Sequence, residues 1–205
     1  MNYFFSILYI LTSFTSCDNN SKKNDRSENL TASDSSGLIM DEDVFWALID
    51  KSIIASNNDY QKQITSLKKI LVTLEPNEIE KFDNTFTALL AGSYDQKLWG
   101  AAYVINGGCS DDCFNYFRQY LIGHGKDKFY QTYKDPDYCV NWIKTEEEDN
   151  WEGLQYSAMY AYKERTGKEI PRTYKTQFVL KGFPFEEKTL AKKYPRLAEK
   201  FMNEQ

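Results

Sequence analysis

The sequence predicts an all-α protein with one folded domain of about seven or eight helices. Three observations carry this. Apolar residues recur at helical spacing through most of the chain. Acids, Ser, Pro and Gly fall where the periodic runs begin and end. No run alternates apolar and polar residues as a half-buried strand does. The chain has 205 residues, 41% of them hydrophobic and 16% aromatic. That suffices for one domain with its own core, built largely from rings.

The elements follow in order. Residues 40–56 carry Val44, Phe45, Leu48, Ile49 and Ile53 as a stripe, with Asp41, Glu42 and Asp43 at the positive helix start. Residues 60–74 repeat the pattern with Ile64, Leu67, Ile70, Leu71 and Leu74. Pro76 opens a third helix whose inner face holds Ile79, Phe82, Phe86, Leu89 and Leu90; Gly92-Ser93 interrupts it. Periodicity resumes from Tyr94 to Ile105 and stops at Asn106-Gly107-Gly108. A fifth helix carries Phe114, Phe117, Leu121 and Ile122. A short helix is expected over residues 128–133, then a turn at Asp135-Pro136-Asp137 and a short helix to Ile143. The acidic run Glu146-Glu147-Glu148-Asp149 is read as the approach to a helix over residues 151–166, ended by Gly167. Residues 168–185 are irregular. A last helical stretch covers residues 186–201, bent at Tyr194-Pro195.

The N-terminus reads as an address. It begins MNYFFSILYILTSFTSC, an apolar run too short to span a bilayer but suited to a signal peptide. Phe14-Thr15-Ser16-Cys17 resembles the lipobox of bacterial lipoproteins, with Phe where Leu is usual and no Lys or Arg before the apolar run. The resemblance implies cleavage before Cys17 and lipidation of its thiol. Residues 18–37, DNNSKKNDRSENLTASDSSG, offer almost nothing to bury, which fits a polar tether. The expected layout is a signal peptide over residues 1–16, a lipidated cysteine and tether over 17–37, and a helical domain over 38–205. It places the protein in the bacterial cell envelope, partnered with the membrane through its lipid. The formal net charge of −5 argues against nucleic acid as a partner.

The densest chemistry lies in NGGCSDDCFNYFRQYLIGHG, residues 106–125. Ser110 is suited to N-cap the fifth helix, and Asp111 and Asp112 to meet its positive end. Arg118 sits on a buried helix, where a guanidinium needs a carboxylate or carbonyl partner, and a carboxylate from another helix is the expected one. His124, between Gly123 and Gly125, suits the negative helix end. It lies about 16 Å along the axis from Cys113, so no Cys–Cys–His metal site is expected. No metal or cofactor is expected elsewhere, since no phosphate loop or metal motif occurs. With Cys17 lipidated, Cys109, Cys113 and Cys139 remain. Free thiols are expected, with a Cys109–Cys113 bridge the alternative and Cys139 unpaired in both cases.

Trp99, Ala101-Ala102-Tyr103, Asn106-Gly107-Gly108-Cys109-Ser110-Asp111-Asp112, Phe114, Tyr116-Phe117-Arg118, Leu121-Ile122 and Gly125 resemble the signature of domain-of-unknown-function family 4240, a bacterial family. The likeness extends to Phe45-Trp46, Asp135-Pro136-Asp137 and Tyr194-Pro195-Arg196-Leu197. It implies no particular activity, but marks Asp111, Asp112 and Arg118 for testing. Cys113 departs from the family, where that position is usually Gly or another small residue. Two functions follow. The preferred one is a nonenzymatic binding or interaction module, its protein or small-molecule partner unassigned. The alternative is a hydrolase using Asp111 or Asp112 as base and Arg118 as anion clamp.

Overall fold

The protein is described by a computed structural model, covering residues 37–144, 152–172 and 174–202. Cys17, the apolar run, most of the tether and the acids at 146–149 lie outside the described residues. Among the described residues the fold is all-α. Nine α-helices, α1 (Glu42–Ala55), α2 (Tyr60–Leu71), α3 (Pro76–Gly92), α4 (Gln96–Ile105), α5 (Asp111–Gly123), α6 (Lys126–Lys134), α7 (Tyr156–Thr166), α8 (Glu187–Lys193) and α9 (Pro195–Phe201), join one 3-10 helix, Pro136–Asn141. Ten helices stand where seven or eight were expected. Part of the excess comes from Pro195, which divides the last stretch: it disfavours helical backbone at Tyr194, whose φ and ψ are −126° and 68°.

Helix starts follow local chemistry. The Asp41 carboxylate accepts from the Asp43 and Val44 N–H groups, Asp59 from Lys62 N–H, and Asp95 from Lys97 N–H. Pro76 occupies the first turn of α3, where its missing N–H is harmless. The stripe expected on α1 is corrected at one position. Val44 is 50% exposed, and Trp46 is buried instead, its ring against Phe129 and its Nε1 donating to Glu42.

Helix α5 is the hub. It packs on α1, α2, α3, α4 and α6, and every residue from Phe117 to Gly123 is buried. Around it lies a ring-rich core in which Phe45 stacks on Phe82 at 4.7 Å. α7 lies across α2 and α3. Its start is held by Gln119 of α5, whose Oε1 accepts from Gln155 N–H at 3.1 Å. At the other edge, the buried Asp137 carboxylate accepts from Leu197 N–H at 2.9 Å, and from the N–H and Nε of Arg196, both at 3.2 Å. So Asp135-Pro136-Asp137 and Tyr194-Pro195-Arg196-Leu197 meet in space, with an acid of the first capping α9 in the second. Residues 174–180 have no regular secondary structure and lead to one isolated parallel bridge, Asp95 with Lys181.

Candidate functional site

The Asn106–Gly125 stretch splits into two regions on opposite ends of α5. At the N-terminal end, Ser110 Oγ accepts from Cys113 N–H at 3.2 Å, as its sequence position predicts. Asp111 and Asp112 are exposed in the first turn. Cys109 and Cys113 form a disulfide with Cα atoms 5.3 Å apart, and Cys139 is free and buried. This corrects the expectation of free thiols. Gly108, at φ 139°, turns the chain so that Cys109 lies over the first turn of α5, and that backbone is open mainly to glycine.

Arg118 is 3% exposed. Its expected carboxylate partner is a second correction. Nη1 donates to the Leu90 carbonyl, Nε to Phe114 O and Nη2 to Asn115 Oδ1. Leu90 lies in the last turn of α3, which has no basic residue of its own. Arg118 therefore supplies the positive charge that the negative end of α3 attracts, and Lys181 adds another through Gly92 O. The rings of Tyr94, Phe114 and Phe178 lie 4.8, 4.7 and 5.8 Å from the guanidinium carbon. Burial pulls the guanidinium down to about 10, and Tyr94 and Asp111 oppose the shift, so it is cationic at neutral pH. Ser110, Asp111 and Asp112 thus stand at the start of α5, and Arg118 serves the end of α3.

The open region lies at the other end, where α5 passes into α6. The His124 ring meets Tyr120 at 4.2 Å, Trp142 at 4.7 Å and Tyr60 at 6.0 Å. His124 Nδ1 is 2.9 Å from the Tyr120 carbonyl. A carbonyl only accepts, so Nδ1 carries hydrogen. Gln63 of α2, almost fully buried, anchors this wall by donating to Gly123 O at 2.8 Å and Ser52 Oγ at 3.0 Å. Burial drives the Tyr60 hydroxyl far up, so it is neutral throughout the physiological range.

Two clefts open from His124 and share Lys128 as a second wall. One, about 140 Å³, is lined by Tyr60, Gln63, Trp142 and Lys144. The other, about 460 Å³, is lined by Trp46, Asp43, Asp50, Lys126 and Asp127. Lys128 Nζ lies 5.1 Å from the Trp142 ring. Asp50 is raised by burial and by the Asp127 charge. Gly125, at φ 89°, carries no Cβ, and one built there would lie 3.0 Å from Asp50 Oδ1. Among the described residues the buried Trp142 indole N–H has no hydrogen-bond partner. The clefts combine stacking surface, cationic donors, carboxylate acceptors and one imidazole. Among the described residues no group of three or more His, Cys, Asp or Glu is placed to hold a metal ion, and no helix is long and apolar enough to cross a membrane. Sequence reasoning read His124 as a helix end and did not single out Gln63, Trp142, Lys128 or Asp50. The one signal was the Gly-His-Gly break, whose partners come from α1, α2 and residue 142.

The sequence profile of a family described as protein of unknown function (DUF4240) matches residues 40–164, and the chain belongs to that family. The match spans α1 to α6 and most of α7, including both ends of α5, and stops short of α8 and α9. No curated protein and no solved structure matches the chain.

Proposed function

We propose that this is a lipid-anchored protein of the bacterial cell envelope whose helical domain is a nonenzymatic binding module, with the clefts around His124 as its ligand site. The observation that carries the anchor is Cys17, preceded by an apolar run and small residues and followed by a polar tether. The Cys109–Cys113 disulfide supports the same reading, because such bonds persist in oxidising compartments outside the cytosol. The binding role is supported by the spending of Ser110, Asp111, Asp112 and Arg118 on helix ends, and by a mixed-charge cleft walled by rings elsewhere. The chemistry of that cleft suits a small polar solute with a planar part: rings to stack, lysines for an anionic group, and carboxylates for donors.

Two measurements test the reading separately. Cys17→Ser should abolish incorporation of labelled fatty acid and release the protein from membranes. Native protein recovered as soluble with an intact N-terminus would refute the anchor. For the binding role, a metabolite library is screened by thermal shift against the native chain and against Lys128→Ala. A solute that raises Tm in the native chain and not in the variant supports the cleft. If hits raise Tm equally in both, the ligand site is elsewhere.

A further inference from the structure

We infer that the Cys109–Cys113 pair is a thiol–disulfide exchange site in the folded protein, with an uncharged or basic dithiol as its reductant. This goes beyond the binding reading and does not depend on the lipid anchor.

The first argument is access. Cys109 and Cys113 are both partly exposed at the start of α5, whereas Cys139 is sealed in the core with its thiol pushed far up by burial. The second is loop size. The bond joins residues only four apart in sequence. A loop that short constrains the unfolded chain little, so holding the fold together is a poor account of it, and short exposed bonds belong to the labile class.

The third is the leaving group. Cys113 is the third residue of α5, at the positive end of the helix, and Asn106 Nδ2 lies 3.6 Å from its sulfur. Both features stabilise a thiolate at Cys113. Cys109 precedes the helix and has neither. Attack is therefore directed at Cys109 Sγ. A thiolate of the incoming dithiol bonds to Cys109 Sγ as the Cys109–Cys113 bond breaks, and Cys113 leaves as thiolate and takes up a proton. The second thiolate of the dithiol then attacks its own sulfur in the mixed disulfide. This closes the reductant's disulfide and expels Cys109 as thiolate, which is protonated in turn. Two electrons and two protons pass from the dithiol to the pair. The reverse sequence, with a disulfide as oxidant, restores the bond.

The fourth is selectivity. Asp111 and Asp112 are exposed and lie between the two cysteines in the sequence. Their charges repel anionic thiols and spare neutral or basic ones. Exchange also has a structural reporter, because the Cys109 carbonyl accepts from Trp99 Nε1 at 2.9 Å and Trp99 stacks on Phe114 at 5.0 Å. Opening the bond loosens the chain on which that acceptor sits.

The test uses the purified full chain under native conditions, with two monothiol probes of opposite charge, cysteamine and glutathione, at equal thiolate concentration. Samples are quenched with maleimide, and labelled cysteines are assigned by mass spectrometry. The expected result is joint labelling of Cys109 and Cys113 with Cys139 untouched, full re-closure on removing thiol and adding oxidised glutathione, and a reduction rate at least several-fold higher for cysteamine. One molar salt should narrow that gap, as should the variant D111N/D112N. Asn106→Ala should slow reduction by both probes, and in Cys113→Ser the remaining Cys109 should form a stable mixed disulfide. A bond that opens only in denaturant, or does not re-form in native protein, overturns the exchange site. Equal rates for the two probes in low salt overturn the assigned class of reductant.

Discussion

The two ends of α5 are opposites. The N-terminal end gathers two cysteines, two acids and an arginine within ten residues, and the arginine is spent on the end of α3. The C-terminal end holds one histidine between two glycines, yet two clefts open from it. The difference is one of provenance. Ser110 caps backbone within its own helix turn, and Arg118 reaches one neighbouring helix end, so the partners of both are few. The clefts at His124 take walls from α1, α2, α5, α6, Trp142 and Lys144, whose residues lie as much as 101 positions apart between Asp43 and Lys144. A dense polar motif is thus a weaker mark of a site than a helix end at which several elements fail to close over one another.

The contrast can be broken most decisively at Arg118. If its role is to satisfy the end of α3, Arg118→Met should lower stability by about 4 kcal/mol, because it keeps the bulk but removes the buried charge and its hydrogen bonds to Leu90 O, Phe114 O and Asn115 Oδ1. Chemical denaturation measures this, and a loss under 1 kcal/mol would free Arg118 for a ligand-binding role. At the other end, Gly123 lets Tyr60 and Leu154 close on α5. A Cβ there would lie 2.6 Å from Tyr60 Cε2 and 2.9 Å from Leu154 Cδ2. Gly123→Ala should therefore cost about 3 kcal/mol through overpacking. It should also weaken any ligand of the smaller cleft; unchanged Tm would mean that this wall is softer than its contacts imply.

Asp83 sharpens the lesson about buried charge, since it is 7% exposed and no hydrogen bond reaches its carboxylate among the described residues. Burial pushes it up to about 6, against the opposing pull of Arg172. The folded state keeps this proton after the unfolded chain has lost it, so stability falls as pH rises from about 4 to about 6 and stays lower above. Asp83→Asn should add about 2 kcal/mol at pH 7 and nothing below pH 4. Unfolding curves at the two pH values decide it, and equal effects at both would place the cause in packing rather than ionisation. The smallest effect belongs to the cap: Ser110→Ala should cost about 1 kcal/mol and Ser110→Asp less. A lost ligand response with unchanged Tm in Ser110→Ala would reverse the structural reading of this block.

Much of the fold was legible because its causes are local. Helix starts at Asp41, Asp59, Pro76 and Ser110 follow from side-chain acceptors or a missing N–H within a turn, and the buried faces of α3 and α5 follow from apolar spacing. The split at Pro195 also has a local cause. The errors came where partners are remote. Arg118 was assigned a carboxylate because a buried cation needs a counterpart, but linear sequence does not reveal that a helix end will supply one. Val44 and Trp46 lie on faces that periodicity alone ranks wrongly, since only the packing of α6 makes the Trp46 side the inner one. The disulfide needed Gly108 to turn the chain onto α5, a permission visible in sequence but not a commitment. By itself, then, the sequence determined the helical class, the capping chemistry and the family, all set by interactions within a few residues or by composition. Tertiary structure alone decided which charges are spent on helix ends and where a cleft remains, because both depend on groups tens of residues apart meeting in space.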